Sequence, residues 1–267
     1  MPEFLDVFGG RSDQGTRWSF DLDKRFNGAF GGINGGVLSA ISVYVARQKA
    51  GRRASSIDSR YLRGFRPGAA RVETNILNAG RTLTVIGVDI FDSEDRLCTH
   101  STITMVEQSA LAEELQQPNH AGPSQDLRAW EDGKRWRQPD GHDIPLIETF
   151  EPRALGGRDQ ETTTATKVLW REAGTAAEAA CIAADISVGP PVARAVRGRA
   201  STPNPDLSLR FCGSSDPGTH LIASCELQAI ASGLASTRIS VWNGSELLAI
   251  GVSTTTCLRL KGVQTSG

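Results

Sequence analysis

Apolar residues recur at helical spacing directly after a cluster of glycines in the first fifth of the chain. Residues 31–41 read Gly-Gly-Ile-Asn-Gly-Gly-Val-Leu-Ser-Ala-Ile, and apolar positions continue on one helix face as far as Val45. The pattern predicts a helix over about residues 34–48. Asn34 is a candidate N-cap because its side-chain oxygen can accept a first-turn amide.

Two interpretations of this helix start remain open. It is either a glycine turn before a core helix or a binding site. Gly35 and Gly36 have no Cβ, so another group can approach their backbone closely. Free amides and the positive end of the helix dipole would meet there, where a polarised carbonyl or a phosphate would be stabilised.

Alternating apolar and polar residues predict antiparallel strands in both halves of the chain. In the first half the predicted strands cover residues 18–22, 57–62, 70–77, 82–91 and 96–106. In the second half they cover residues 163–170, 206–211, 221–229, 234–242 and 247–258. For the strand at 82–91, either alternate set of side chains can face the core.

A second helical pattern covers residues 175–185 and is nearly all small and apolar, which predicts a buried helix. Thr175, with Glu178 three residues later, forms a candidate capping box. A polar, proline-rich loop is predicted over about residues 189–205. Residues from about 108 to 160 are rich in Gln, Pro, Asp and Gly, which indicates a connecting segment with one short helix near 110–116.

The order of elements is the same in both halves: strand, helix, then four strands. This repetition indicates an internal duplication. We therefore predict an N-terminal unit over residues 1–107, a connecting segment over 108–160 and a C-terminal unit over 161–267. The fold class is α+β, with one helix against one antiparallel sheet in each unit, and the two sheets can pair edge to edge.

The second predicted helix contains two acids, Glu178 and Asp185, and Asp185 is the one without a predicted capping role. We expect it near the helix C-terminus, where the dipole disfavours an anion, and burial would raise its pKa further. An acid held where its charge is unfavourable is a candidate for chemistry. The alternative is an exposed Asp that ends the helix.

Composition narrows the classes of function. The chain has 267 residues and a net charge of −1, so it has no general attraction to nucleic acid or to an anionic membrane. Its five cysteines are scattered without a C-x-x-C pair, which argues against a zinc site and a disulfide framework and fits a reducing compartment. We find no signal-peptide pattern and no apolar run near the roughly 18 residues of a membrane helix. We therefore expect a cytoplasmic protein.

Four stretches resemble the double-hotdog acyl-CoA thioesterases, the family of bacterial thioesterase II. They are the Gly35-Gly36 pair, residues 61–68 (Tyr-Leu-Arg-Gly-Phe-Arg-Pro-Gly), residues 80–83 (Gly-Arg-Thr-Leu) and residues 183–185 (Ala-Ala-Asp). The resemblance implies a double hotdog, in which two antiparallel sheets each wrap one central helix. It also implies hydrolysis of an acyl-CoA thioester, no cofactor or metal, and assembly as a homo-oligomer, dimer or higher.

The resemblance also assigns catalytic positions. Asp185 takes the place of the family's catalytic Asp and would orient or deprotonate a water. The family's Thr or Ser on a second-half strand falls at Gln228, or close to it at Ser232. The family's Gln on the last strand falls at Ser253 or Thr254, so a smaller hydroxyl residue stands there.

Substrate contacts follow from the same resemblance. Asn34, Gly35 and Gly36 would bind the substrate and stabilise the oxyanion that forms at the thioester carbonyl. Arg63 and Arg66 would bind the phosphates of CoA at the rim, since guanidinium groups suit phosphate.

Other functions stay open beside hydrolysis. A hotdog protein that binds an acyl group or acyl-CoA without catalysis is the main alternative. A hotdog hydratase ranks last because the sequence lacks the paired Asp and His near one helix. A serine nucleophile at Ser253 is disfavoured because no His stands in a recognisable triad arrangement.

Overall fold

A computed structural model of the chain describes residues 1–13, 17–112, 114–115, 129–138, 143–157, 160–213 and 215–260. Thirteen of the described strands form one antiparallel sheet, and two short strands form a separate pair. The helices are Phe4–Phe8 (α1), Gly35–Ala50 (α2), Ala129–Asp132 (α3), Pro145–Phe150 (α4) and Ala176–Val196 (α5).

The strands fall into two groups along the chain. In the first half they are Arg11–Asp13 (β1), Arg17–Leu22 (β2), Arg53–Tyr61 (β3), Gly68–Ala79 (β4), Leu83–Phe91 (β5) and Leu97–Val106 (β6). The following short strands are Lys134–Arg135 (β7) and Arg153–Gly156 (β8). In the second half they are Glu161–Lys167 (β9), Ala200–Ser201 (β10), Asp206–Phe211 (β11), His220–Ala231 (β12), Leu234–Asn243 (β13), Glu246–Thr256 (β14) and Leu258–Arg259 (β15).

One continuous sheet replaces the two sheets expected from the sequence, and that part of the double-hotdog expectation is wrong. The strand order is β1-β2-β4-β5-β6-β3-β11-β14-β13-β12-β9-β8-β7. The halves join where β3 pairs with β11, with Asp58 opposite Ser208. This pairing gives both strands hydrogen-bond partners for backbone groups that would otherwise form two open edges.

Both halves show the predicted order of strand, helix and four strands. In the first half β2 is followed by α2 and then by β3 to β6, and in the second half β9 is followed by α5 and then by β11 to β14, with only the two-residue β10 in between. The predicted boundaries of the two units and the connecting segment are not tested by this order and stay predictions. A single-turn 3-10 helix, Gln108–Ala110, lies near the predicted helix at 110–116, part of which is outside the described residues.

The first central helix forms as the apolar pattern predicts. Helix α2 begins at Gly35, and the side chain of Asn34 accepts a hydrogen bond from the amide of Val37 at 3.3 Å. It packs on β3 to β6 and on α5. In β5 the buried set is the one that contains Ile86, Val88 and Ile90, which settles the alternation left open by the sequence.

Helix α5 is longer than predicted, because it continues past Asp185 to Val196. Pro190 and Pro191 lie inside it, although a proline in a helix interior costs about 3 kcal/mol. Val192 and Val196 are buried against β12 and β13, and each buried valine contributes about 1.5–3 kcal/mol. Burial therefore offsets the proline penalty. Asp185 is mid-helix as a result, and the argument from the C-terminal dipole does not apply to it.

By length and composition, α5 could span a membrane. The sequence analysis expected no apolar stretch near the roughly 18 residues of a membrane helix. This expectation is wrong for α5, which has 21 residues. Within the fold, 72% of its most apolar window is buried, a burial that is common for a core helix.

The predicted capping box at the start of α5 does not form. The hydroxyl of Thr175 donates to the carbonyl of Glu172 at 2.6 Å and accepts from Trp170 Nε1 at 2.9 Å. Glu178 is fully buried and pairs instead with Arg47 Nε of α2 at 2.9 Å. Glu178, which the local sequence predicts as part of a capping box, therefore joins α5 to α2.

Gly36→Ala should lower the free energy of unfolding by about 1–3 kcal/mol, the usual cost of overpacking a core. The added Cβ would lie 2.7 Å from Asp185 Cβ and from the Cys181 carbonyl oxygen, and 2.9 Å from Ile182 Cα. Denaturant titration followed by circular dichroism measures the change. Gly64→Ala is the control, because its Cβ would meet no atom within 4 Å. Equal stability of the two variants would contradict the close helix contact.

Candidate functional site

Asp185 lies in the middle of α5 and faces the start of α2. Its side chain is 7% exposed. Oδ2 accepts a hydrogen bond from Asn34 Nδ2 at 2.6 Å, and Oδ1 accepts one from Asn204 Nδ2 at 2.7 Å. The backbone amide of Gly36 donates to the same carboxylate. The fold thus brings the glycine-rich helix start and the candidate acid into one site.

The position of Asn204 follows from the local sequence Pro-Asn-Pro just before β11. The carbonyl of Pro203 accepts from the amide of Thr256 at 2.9 Å, and the carbonyl of Pro205 accepts from the amide of Tyr61 at 2.8 Å. Each proline also restricts its own backbone. The segment is therefore held on both sides, which aims the amide of Asn204 at Asp185.

Burial raises the pKa of Asp185 above the ordinary value of an aspartate. The hydrogen bonds from Gly36, Asn204 and Asn34 act in the opposite direction, because they stabilise the charged form. The positive end of the α2 dipole also favours a negative charge there. The net result is a carboxylate that is held in place by donors and is a stronger base than a solvent-exposed aspartate.

The ring of Tyr61 closes the site on the side of the sheet. It occupies the space where a Cβ on Gly35 would lie. Its hydroxyl forms a hydrogen bond with Ser39 Oγ at 2.9 Å. Burial raises the pKa of Tyr61 well above its ordinary value, and the nearby charge of Asp185 adds to this. Both glycines are therefore needed for close packing, whatever else their amides do.

The last-strand candidates contact Asp206, the first residue of β11, and their hydrogen bonds do not go to Asp185. Ser253 Oγ donates to the carbonyl of Asp206 at 2.8 Å, and the amide of Thr254 donates to Asp206 Oδ1 at 2.7 Å. Asp206 is two residues after Asn204, which binds Asp185. This end of β14 is therefore close to the site around Asp185. The catalytic roles of Ser253 and Thr254 stay predictions.

Gln228 is exposed and lies at a β-bulge of β12, between Leu227 and Ala229. Within the described part of the chain it makes no hydrogen bond to Asp185. The two side-chain amides that reach Asp185 come from Asn34 and Asn204. Ser232, the neighbouring candidate, is in the turn after β12 with a left-handed φ of 50°.

Arg63 and Arg66 are exposed in the loop between β3 and β4. Phe65, between them, is buried, and its carbonyl accepts a hydrogen bond from the amide of Ile33 at 2.7 Å. The arginine loop therefore lies against the segment that leads into Asn34. The loop that carries both arginines is therefore next to the start of α2.

The position in α2 that matches Asp185, counted from the two N-caps, is Tyr44. Its ring stacks on Phe4 of α1 with 4.4 Å between ring centroids. Trp18 meets the same ring edge-on at 6.0 Å. An aromatic cluster thus fills the second, mirrored position, and an acid is present in only one of the two.

Asn204 is the residue of the site that the sequence interpretation missed. It stood within a stretch assigned as a polar, proline-rich loop. The available signal was a polar residue between two prolines directly before a strand, a place where the backbone is restricted and the side chain is well aimed.

Known proteins share this fold and part of this sequence. The family model of the acyl-CoA thioesterase N-terminal domain matches residues 23–106, which confirms the resemblance for that part of the chain. No curated protein matches the chain.

Three solved structures illustrate the likeness in fold. A candidate thioesterase from Novosphingobium aromaticivorans is 21% identical, covers 92% of this chain and 97% of its own, and has a TM-score of 0.77. A protein of unknown function with a hot dog fold from Alicyclobacillus acidocaldarius is 14% identical, with coverages of 97% and 100% and a TM-score of 0.74. An acyl-CoA thioesterase II from Mycobacterium marinum is 12% identical, with coverages of 97% and 99% and a TM-score of 0.71. The chain therefore has a hotdog fold over nearly its whole length.

Asn204→Ala should raise the pKa of Asp185 further, because it removes a donor that stabilises the charged form. It should also lower the free energy of unfolding by about 1–3 kcal/mol, the cost of leaving a buried acceptor without its partner. Carboxyl-carbon NMR titration measures the pKa. Asn75→Ala, at an exposed position of β4, is the control. An unchanged Asp185 titration would show that the amide of Asn204 does not act on the carboxylate.

Proposed function

We propose that this hotdog protein is an acyl-CoA thioesterase, which hydrolyses the thioester of an acyl-CoA to the free acid and CoA. The supporting observation is the buried carboxylate of Asp185, which accepts hydrogen bonds from the side-chain amides of Asn34, at the start of α2, and Asn204, just before β11. The match of residues 23–106 to the acyl-CoA thioesterase domain supports the reaction type.

In the proposed reaction Asp185 is the general base. Its carboxylate accepts a proton from a water, and the water oxygen attacks the thioester carbonyl carbon. The carbonyl π electrons move to the oxygen, and a tetrahedral intermediate forms. When the carbonyl is restored, the carbon–sulfur bond breaks, and the CoA sulfur leaves as a thiolate that takes up the proton.

The start of α2 is suited to the charge that develops on the carbonyl oxygen. Asn34 caps this helix and binds Asp185, and the amide of Gly36 is also bonded to Asp185. We assign the oxyanion contact to the amide of Gly35, aided by the helix dipole. Fixed donors of this kind act strongly because they need no reorganisation during the reaction.

We propose that the attacking water lies between Asp185 and the end of β14. Thr254, or the neighbouring Ser253, would hold it there with a hydroxyl in place of the family's Gln. Gln228 would contribute only if the bulge of β12 rearranged toward the site. At the rim, the exposed guanidinium groups of Arg63 and Arg66 would bind the phosphates of CoA.

A binding module without catalysis is the second candidate function. The observation that favours it is that both carboxylate oxygens of Asp185 already accept bonds from side-chain amides. A module would bind acyl-CoA without turnover, so a panel of acyl-CoA esters separates the two functions.

Asp185→Asn should lower kcat for acyl-CoA hydrolysis at least about a hundredfold, the lower range for the loss of a general base. The substitution keeps the shape and removes the basic oxygen. Release of the CoA thiol, followed with a thiol reagent, measures kcat, and circular dichroism checks the fold. Asp89→Asn, a partly exposed acid on β5 that pairs with His100, is the matched control. A variant as fast as the parent would rule out Asp185 as the base.

The pH profile of kcat/KM should show an acid limb above the ordinary aspartate range of about 3.9. A general base works only when deprotonated, and burial raises the pKa of Asp185. Activity should therefore rise with pH through this raised value. The residual activity of Asp185→Asn should lack the limb. A limb at or below the ordinary value would contradict the assignment of the base.

A further inference from the structure

Four hydroxyl side chains form a hydrogen-bonded chain between α2 and the sheet. The hydroxyl oxygen of Tyr61 lies 2.9 Å from Ser39 Oγ, which donates to Ser59 Oγ at 2.8 Å. Ser59 Oγ is in turn 2.8 Å from Ser101 Oγ of β6. All three serines are 0% exposed. Because the single proton of the Ser39 hydroxyl goes to Ser59, Tyr61 is the donor to Ser39.

The matching positions in the second half carry no hydroxyl group. The last hairpin of each half has a β-bulge at the same place, which skips Cys98 in β6 and Leu248 in β14. Ser101 lies three residues after the first bulge, and Gly251 lies three residues after the second. Counted along the paired strands and from the helix N-caps, the matching positions are Tyr61 and Phe211, Ser39 and Ala180, Ser59 and Leu209, and Ser101 and Gly251.

The fold itself does not require this hydroxyl chain. Helix α5 packs on β11 and β14 as α2 packs on β3 and β6, yet the four matching positions carry only apolar residues. A buried hydroxyl that loses its partner costs about 1–3 kcal/mol, so a chain of hydroxyls restricts how the helix can lie on the sheet. Apolar contacts tolerate repacking better. The hydroxyl chain therefore fixes the alignment of α2 more closely than the apolar contact fixes that of α5.

The hydroxyl chain acts on the first turn of α2, where the Asp185 site lies. Ser39 is four residues after Gly35, so both residues are on the same face of the helix. On this face a Cβ at Gly35 would lie 2.9 Å from the hydroxyl oxygen of Tyr61. Gly36, in the same turn, faces α5, and its amide donates to Asp185. Tyr61 thus holds, from the side of the sheet, the turn that binds the carboxylate.

We propose that Tyr61 is a positioning residue for thioester hydrolysis. Its hydroxyl, anchored to the sheet through Ser39, fixes the first turn of α2 so that the amide of Gly35 meets the developing oxyanion. The inference rests on the proposed function and adds a residue to the same site. A displacement of about 1 Å can cost about a hundredfold in rate. The hydroxyl chain is found in the half whose helix start binds Asp185, which is where alignment matters for the reaction.

Tyr61→Phe keeps the ring against Gly35 and removes the hydroxyl. We expect kcat for acyl-CoA hydrolysis to fall at least about tenfold, with KM within about twofold of the parent, because the aim of the oxyanion donor matters in the transition state. Ser39→Ala should have the same effect. The double variant Tyr61→Phe, Ser39→Ala should be about as slow as the single variants, since the two groups act as a unit. Its free energy of unfolding should match that of the parent, because both partners of one hydrogen bond are replaced by apolar groups.

Ser42→Ala is the matched control on the same helix. The hydroxyl of Ser42 is equally buried, but it donates within α2 to the carbonyl of Leu38 at 3.0 Å. This variant should keep the kcat of the parent. A double variant as fast as the parent would overturn the positioning role and leave thioesterase activity standing. A kcat that falls only in proportion to a loss of folded protein would also overturn it, because the role would then be structural.

Amide hydrogen exchange tests the same role without measuring activity. Exchange at Gly36, followed by NMR, should be at least about tenfold faster in Tyr61→Phe than in the parent or in Ser42→Ala, because the first turn of α2 opens more often. If the parent hydrolyses no acyl-CoA, the proposed function fails, and exchange at Gly36 decides the positioning role. Equal exchange in Tyr61→Phe and in the parent overturns it.

Discussion

The close contact between the start of α2 and the middle of α5 determines how the rest of the structure is arranged. Gly36 allows it, because any side chain at that position would overlap α5. Near the other end of α2, Arg47 pairs with the buried Glu178 of α5. These two contacts hold the two helices together, and both helices pack against the single sheet.

The same contact places a carboxylate where it is costly to bury. Desolvation raises the pKa of Asp185 and also that of Glu178. The cost is offset differently at the two sites. Glu178 has a cationic partner in Arg47, whereas the partners of Asp185 among the described residues are neutral amide donors and a helix dipole. A buried acid without a cationic partner can still take up a proton, whereas an acid in a structural ion pair is held in its charged form.

The two halves have the same order of elements and the same strand order, but their interiors differ. Aromatic residues of α1 and β2 fill the space around Tyr44 in the first half. The second half has small helix residues and buried threonines instead. Because the mirrored position is filled by Tyr44 and carries no acid, the buried carboxylate is found on the α5 side of the two matching positions. The first half contributes the helix start, with Asn34 and two glycines.

The sequence by itself determined the local features of this protein. Periodicity predicted α2 and the strands of each half, and apolar composition predicted the first part of α5. The Asn34 cap followed from side-chain chemistry, and Asp185 was singled out as the acid of an apolar helix without a predicted capping role. Tertiary structure determined the features in which long-range contacts outweighed the local sequence signals. Helix α5 continues past two prolines because Val192 and Val196 are buried. Glu178 pairs with Arg47 and does not form the predicted capping box. Strands β3 and β11 pair with each other, so the two halves share one sheet. Asn204 reached the site for the same reason: hydrogen-bond partners distant in sequence are set by packing, which no local pattern contains.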